Sequence, residues 1–117
     1  MEDVEDAVAR LRAIGELDDG RFARRYAEDK RELRGWGPER IREALEARGL
    51  PTELIDAAIG EERVTDQVER AAALLVRRGA SLADDAGRAS AFGFLARRGY
   101  GHEVAYAAIR RAGEESR

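Results

Sequence analysis

Leu45-Glu46-Ala47-Arg48-Gly49-Leu50 falls on Leu95-Ala96-Arg97-Arg98-Gly99-Tyr100 when the 117-residue chain is slid along itself by fifty places. In the same register Glu53, Leu54, Ala57, Ala58 and Ile59 meet Glu103, Val104, Ala107, Ala108 and Ile109, and Asp3, Val4, Ala7 and Val8 meet Glu53, Leu54, Ala57 and Ala58. One element is therefore present three times. A fixed internal period of this size marks stacked supersecondary units, none of which buries its apolar face alone, and such arrays present a long surface to a partner.

Outward from that element, the middle of the chain reads as three helices. Asp19 is a candidate N-cap for the first, Phe22, Tyr26 and Leu33 follow at spacings of four and seven, and Gly35 is its stop. At about 100° per residue those three lie within about 40° of one another, with Arg21, Arg24, Arg25 and Arg31 on the other side. Gly37-Pro38 opens the second helix, which carries Ile41, Ala44 and Leu45 inward and stops at Gly49. Thr52 caps the third, whose stripe is Leu54, Ile55, Ala58 and Ile59.

The same design follows again. Asp66 or Thr65 opens a helix with Val68, Ala72, Leu75 and Val76 up to Gly79, Asp85 opens one with Phe92 and Leu95 up to Gly99, and a last helix from about His102 carries Val104, Ala105, Ala108 and Ile109. Ahead of all of these, residues 3–14 read as one helix ended by Gly15. No stretch has the pattern of a strand. The expected fold is all-α, with tandem three-helix repeats of about fifty residues in an elongated, curved array. Residues 1–15 form the last helix of an incomplete first repeat, and 16–64 and 65–117 form two complete ones.

Composition agrees with a helical, water-soluble chain: 38% of residues are charged, 44% are hydrophobic and only two are prolines. The longest apolar run, residues 71–76, is too short to span a bilayer, and the acidic start Met1-Glu2-Asp3 lacks the basic region of a signal peptide. A cytoplasmic monomer without membrane contact is expected. The absence of cysteine excludes disulfide frameworks, zinc knuckles and thiol catalysis.

The net charge of −3 hides an alternation, from −5 over residues 1–19 to +3 over 20–50, −4 over 51–70 and +3 over 71–117. Charge that follows the repeat suits a periodic polyanionic or mixed-charge partner. It equally suits solvated helix faces laced with i,i+4 pairs such as Arg24 with Glu28 and Arg25 with Asp29.

Enzymatic chemistry finds no foothold. His102 is the single histidine, beside Gly101 at a helix start, where it reads as a cap or surface residue, so neither a Ser/His/Asp triad nor a histidine-based metal site is well supported. Asp18-Asp19 and Asp84-Asp85 precede expected helices, where acidic side chains cap free amides. Gly35-Trp36-Gly37-Pro38 lacks the GxxxxGK[ST] pattern of a phosphate loop and reads as a tight turn, with Trp36 either packed on it or exposed as a contact. No cofactor is expected.

The residues also carry a family resemblance. Gly15-Glu16-Leu17-Asp18-Asp19-Gly20-Arg21-Phe22-Ala23, then Tyr26, Arg31, Gly35-Trp36-Gly37, Arg40-Ile41, Leu45, Arg48-Gly49-Leu50 and Ile55-Asp56-Ala57-Ala58-Ile59 resemble the central repeat of the RecX family. Phe94-Leu95-Ala96-Arg97-Arg98-Gly99-Tyr100, with Val104 and Ala107-Ala108-Ile109, resembles that family's last repeat. The resemblance implies a regulator of the RecA recombinase, usually an inhibitor, that lies in the helical groove of the RecA filament on DNA. There it blocks strand exchange and favours disassembly, within recombination, DNA repair and the SOS response. It also implies three complete repeats, of which this chain has about two and a third, so the front of the first is missing. The residues expected to meet the filament or DNA are Arg21, Arg24, Arg25, Arg31, Arg34, Arg40, Arg97, Arg98, Arg110 and Arg111. The alternative is a helical-repeat protein that binds DNA directly, with single-stranded DNA phosphates on the same arginines.

Overall fold

A computed structural model describes residues 3–115; Met1 and Glu2 of the acidic start, and residues 116 and 117, lie outside the described residues. Six α-helices follow one another, α1 (Val4–Asp29), α2 (Pro38–Ala47), α3 (Thr52–Gly60), α4 (Val64–Arg78), α5 (Asp85–Arg97) and α6 (His102–Glu115), and no strand occurs among the described residues. The molecule is a rod of 71 × 20 × 20 Å with a radius of gyration of 18.6 Å. A compact domain of this length would have about 13 Å.

Two apolar clusters hold the rod. Ala23, Ala27, Ile41, Leu45, Ile55 and Ala58 join α1, α2 and α3, while Ala71, Ala72, Leu75, Ala91, Phe94, Leu95, Tyr100, Val104, Ala105, Ala108, Ile109 and Ala112 join α4, α5 and α6. Each fully buried Ile or Leu contributes roughly 1.5–3 kcal/mol. The helix stops expected at Gly35, Gly49, Gly79 and Gly99 are present, all four at positive φ. Pro38 stands in the first turn of α2, and Asp84 caps α5 by accepting the amide hydrogen of Gly87 at 2.7 Å.

The largest departure is α1, a single helix of 26 residues, about 39 Å long. Gly15 does not end a helix and Asp19 does not begin one; both lie inside α1, and the N-cap is Asp3. Of the expected packing face only Tyr26 lies against the cluster, half-buried. Phe22 is 41% and Leu33 78% exposed, whereas Ala23 and Ala27 are fully buried. Small residues decide this, because Gly20, Ala23 and Ala27 let α3 approach closely, with Leu54 lying 3.7 Å from where a Gly20 Cβ would be.

Leu33 lies on the same side of the helix as Phe22 and is exposed with it. Beyond α1, Lys30–Arg34 form a π-helical turn capped by Gly35, whose amide donates to the Arg31 and Lys30 carbonyls; the Trp36 amide also reaches the Lys30 carbonyl, at 3.1 Å. Further departures are smaller. Pro51 stands at the N-cap of α3 and Thr52 is its first residue, Arg63 rather than Thr65 or Asp66 precedes α4, and Val76 is 47% exposed while Ala71 is buried in its place.

The two clusters meet end to end at one seam. The N-terminal end of α2 abuts the C-terminal end of α5, and the Gly37 and Glu39 amides donate to the Arg98 and Gly99 carbonyls at 2.7 and 2.9 Å. A helix start has amides without partners and a helix end has carbonyls without partners, so each end satisfies the other and their dipoles attract. Glycine is required on both sides. A Cβ on Gly37 would lie 2.5 Å from the Gly99 carbonyl oxygen, and one on Gly99 would strike the Arg40 amide nitrogen.

A buried ionic clasp reinforces the seam. Arg70 on α4 is ion-paired and hydrogen-bonded to Glu62, donates through Nε to the Tyr100 hydroxyl at 2.9 Å and through Nη2 to the Trp36 carbonyl at 3.2 Å. Tyr100 in turn donates to the Gly35 carbonyl at 2.9 Å. Burial disfavours the Arg70 charge, but Glu62 and Tyr100 outweigh it and its pKa lies above the ordinary value. Burial pushes the Tyr100 hydroxyl up, against the opposing pull of Arg70.

Candidate functional site

The expected site residues divide sharply once folded. Arg31 does not join the exposed face with Arg21, Arg24 and Arg25; its side chain is 13% exposed, Nε lies 3.5 Å from Glu62, and Nη2 donates to the Ala58 and Ile59 carbonyls. Arg31 stands four residues after Ala27, on the face that packs on α3, and ties the end of α3 to the turn that follows α1. Arg24 reaches Glu61 at 4.0 Å, and Arg111 is shared between Glu69 at 3.4 Å and Glu115 at 3.5 Å. Arg21 and Arg25 are exposed on α1, and Arg110 on α6.

Arg34, Arg40, Arg97 and Arg98 are brought together at the seam. Arg98 Nη1 donates to the Arg34 carbonyl at 2.6 Å, and Arg40 Nη1 to the Arg97 carbonyl at 3.4 Å. Glu39 and Glu43 line a cleft of about 370 Å³ with Arg40 and Arg97, yet neither is ion-paired with them.

From the seam a ridge of cations laid on aromatic rings runs along the molecule. Arg40 sits 4.4 Å above the Trp36 ring, Lys30 lies 4.9 Å from Trp36 and 5.3 Å from Tyr26, and Arg48 lies 5.0 Å from Tyr26 and 5.3 Å from Phe22. The rings also touch, Phe22 to Tyr26 at 5.8 Å and Tyr26 to Trp36 edge-on at 6.5 Å. Beyond the seam, Arg78 and Arg98 lie 4.2 and 5.0 Å from Phe94. A guanidinium on a ring face is held in position while its N–H edge stays open to a carboxylate or phosphate. Arg40, Arg48, Arg78 and Arg98 have no carboxylate ion pair among the described residues. Their charges are ordered and not neutralised.

Sequence reading missed Lys30, Arg48 and Arg78. The i,i+4 spacing of Tyr26 and Lys30 was a legible signal; Arg48 over Phe22 and Arg78 over Phe94 are tertiary contacts with none. Among the described residues no cluster of His, Cys, Asp and Glu could hold a metal ion, and no helix is long and apolar enough to cross a membrane.

Rod, seam and ridge define a helical-repeat protein that offers a surface. Residues 18–59 match the RecX second three-helix domain. The chain is 39% identical over 112 residues to the Regulatory protein RecX of Deinococcus radiodurans, covering 95% of this chain and 53% of that protein. It is 38% identical over 113 residues to that of Thermus thermophilus, 97% of this chain and 72% of that protein, and 38% identical over 104 residues to that of Trichlorobacter lovleyi, 85% and 68%. The chain belongs to the RecX family. It spans about half the length of the Deinococcus relative. No solved structure matches it significantly.

Proposed function

We propose that the chain regulates the RecA recombinase, as an inhibitor, by lying in the helical groove of the RecA filament on DNA. The observation that carries this reading is the set of ordered, unpaired cations on both sides of the seam of a rod 71 Å long, Arg48, Lys30 and Arg40 on one side and Arg98 and Arg78 on the other. Such a surface suits bidentate contacts to the carboxylates and phosphates that recur along a filament. Residues 16–64 and 65–117 act as the two complete repeats, with 1–15, whose described residues are the first half of the long α1, in the place of the last helix of an incomplete one. The exposed Arg21, Arg25, Arg97 and Arg110 widen the charged surface.

The test is the double substitution Arg40→Glu, Arg48→Glu. Filament binding falls at least about tenfold, equal to about 1.4 kcal/mol, and more at low salt than at high. Arg24→Glu with Arg111→Glu, where carboxylates already neutralise the charges, weakens it less. Equal losses from both pairs would leave the ridge without special standing.

The ridge also favours a second reading, direct binding of single-stranded DNA. Cations already cover the Tyr26 and Trp36 rings, so the contact would be to phosphate and without sequence preference. Binding to naked single strands that falls steeply with salt supports this reading, and affinity only for recombinase-coated DNA excludes it.

A further inference from the structure

At the seam, the cleft between α2 and the end of α5 is lined by charges of both signs that the chain leaves unpaired. Glu39 and Glu43 stand on α2, with Arg97 on α5, around a space of about 370 Å³. Arg40, which also lines it, is engaged elsewhere: its guanidinium lies 4.4 Å from the Trp36 ring and donates to the Arg97 carbonyl at 3.4 Å. Both glutamates and Arg97 are exposed and have no ion pair among the described residues.

Carboxylates four residues apart on a helix are neighbours, and their repulsion opposes the helix unless a cation lies beside them. Helix α2 carries that repulsion uncompensated, and the repeat does not demand it. Fifty residues on, Ala89, Ser90 and Gly93 stand in the places of Glu39, Arg40 and Glu43, and fifty residues back Ala47 stands in the place of Arg97. The same helices are thus built elsewhere in this chain without any of the four charges. A carboxylate in the first turn of α2 suits the helix dipole, which accounts for Glu39 but not for Glu43 one turn further on.

We propose that this cleft seats a lysine or arginine side chain of a protein partner between Glu39 and Glu43, with Arg97 meeting a carboxylate beside it. A cation entering here finds two acceptors within one helical turn, and hydrogen bonds between ionised partners are the strong ones. A phosphate drawn toward Arg97 meets the two glutamates of the same cleft, and that like-charge juxtaposition rejects it. The seam therefore reads protein, while the cations on the ring faces stay open to carboxylate or phosphate alike. This contact rests on the reading of a recombinase filament as the partner, and puts the protein of that filament, not its DNA, at the seam.

The sign of one charge change separates the two contacts. Glu39→Gln with Glu43→Gln removes two negative charges from exposed side chains and keeps their shape, and helical circular dichroism verifies the fold. Binding is measured to recombinase-coated single-stranded DNA and to the same DNA naked. Less negative charge favours any polyanion, so contact with phosphate alone would make the variant bind both at least as tightly as the parent. The expected result on the filament is the opposite, binding at least about tenfold weaker, with binding to naked DNA no weaker than the parent's. Glu53→Gln with Glu103→Gln, the same charge change in the first turns of α3 and α6, causes no such loss. Should the double variant lose helix, Glu43→Gln alone, inside α2, weakens filament binding in the same direction. A parent that binds the filament, with a variant that binds it equally or more tightly, would overturn the cleft contact and leave the filament reading intact. An equal loss from the Glu53 and Glu103 pair would also overturn it, since net charge would then be the cause. A parent that ignores the filament would overturn both.

Discussion

The two places where one copy of the repeated element gives way to the next are built differently. Between residues 10 and 14 the chain stays helical within α1, whereas between Gly60 and Val64 it turns at Glu61-Glu62-Arg63. The fifty-residue register puts Arg12 where Glu62 stands and Gly20 where Arg70 stands. At the second junction a carboxylate is seized by Arg70 and Arg31 and drawn beneath the seam; the first has neither the carboxylate nor the arginine to seize it. Helix is the default path of this sequence. The bend exists where a buried ionic contact rewards it.

Breaking the clasp has the largest expected effect. Glu62→Gln leaves Arg31 and Arg70 without their counter-charge at side chains 13% and 16% exposed, and chemical denaturation should register a loss of about 3 kcal/mol. The equivalent Arg12→Gln at the straight junction should change stability by less than about 0.5 kcal/mol. Similar losses at both would refute the ionic account of the bend.

A second pair one period apart sharpens the contrast. Gly49 and Gly99 both have positive φ, 80° and 97°, but a Cβ on Gly49 meets nothing within 4 Å while one on Gly99 strikes the Arg40 amide. Gly49→Ala should cost about 1 kcal/mol, the left-handed penalty alone, and Gly99→Ala about 2–3 kcal/mol with loosened docking of α2 on α5. Thermal melts of the two variants check the difference.

Tyr100→Phe, which removes the hydroxyl shared by Arg70 and Gly35, should cost about 1–2 kcal/mol. The parent should also respond to alkali. Because the folded state raises the Tyr100 pKa above 10.0, it holds that proton more tightly than the unfolded chain does. The associated stability is complete below pH 10.0 and is lost as pH rises from there through the folded value. Denaturation midpoints of Tyr100→Phe should lack that alkaline component.

The smallest effect is a gain. Gly15 lies in the interior of α1 at negative φ with open space around its missing Cβ, so Gly15→Ala should stabilise the protein by about 0.5–1 kcal/mol. Loss of stability would mean that Gly15 ends a helix after all and that the first junction bends like the second.

Much of the fold was legible. The glycine stops at 35, 49, 79 and 99, proline in the first turn of α2, and the buried Ile41, Leu45, Ile55, Leu75, Leu95, Val104 and Ile109 follow from local rules of capping and period. The face of α1 did not. Periodicity favoured the bulkiest residues, Phe22 and Leu33, but close helix packing selected alanine and glycine on another side of the same helix. The candidate site was half legible. Arginine clusters could be counted, yet nothing local separates Arg31, consumed in the clasp, from Arg40, held open on Trp36.

By itself the sequence determined an all-helical array with a fifty-residue period and stops at Gly35, Gly49, Gly79 and Gly99, because capping, backbone conformation and amphipathic spacing act over a few neighbouring residues. Tertiary structure alone decided which junction bends, which glycines must stay bare and which arginines keep their charge available. Those outcomes depend on partners many residues away, Arg31 on Ile59, Arg70 on Tyr100, Arg98 on Arg34, and on burial that makes an ion pair or a hydrogen bond count.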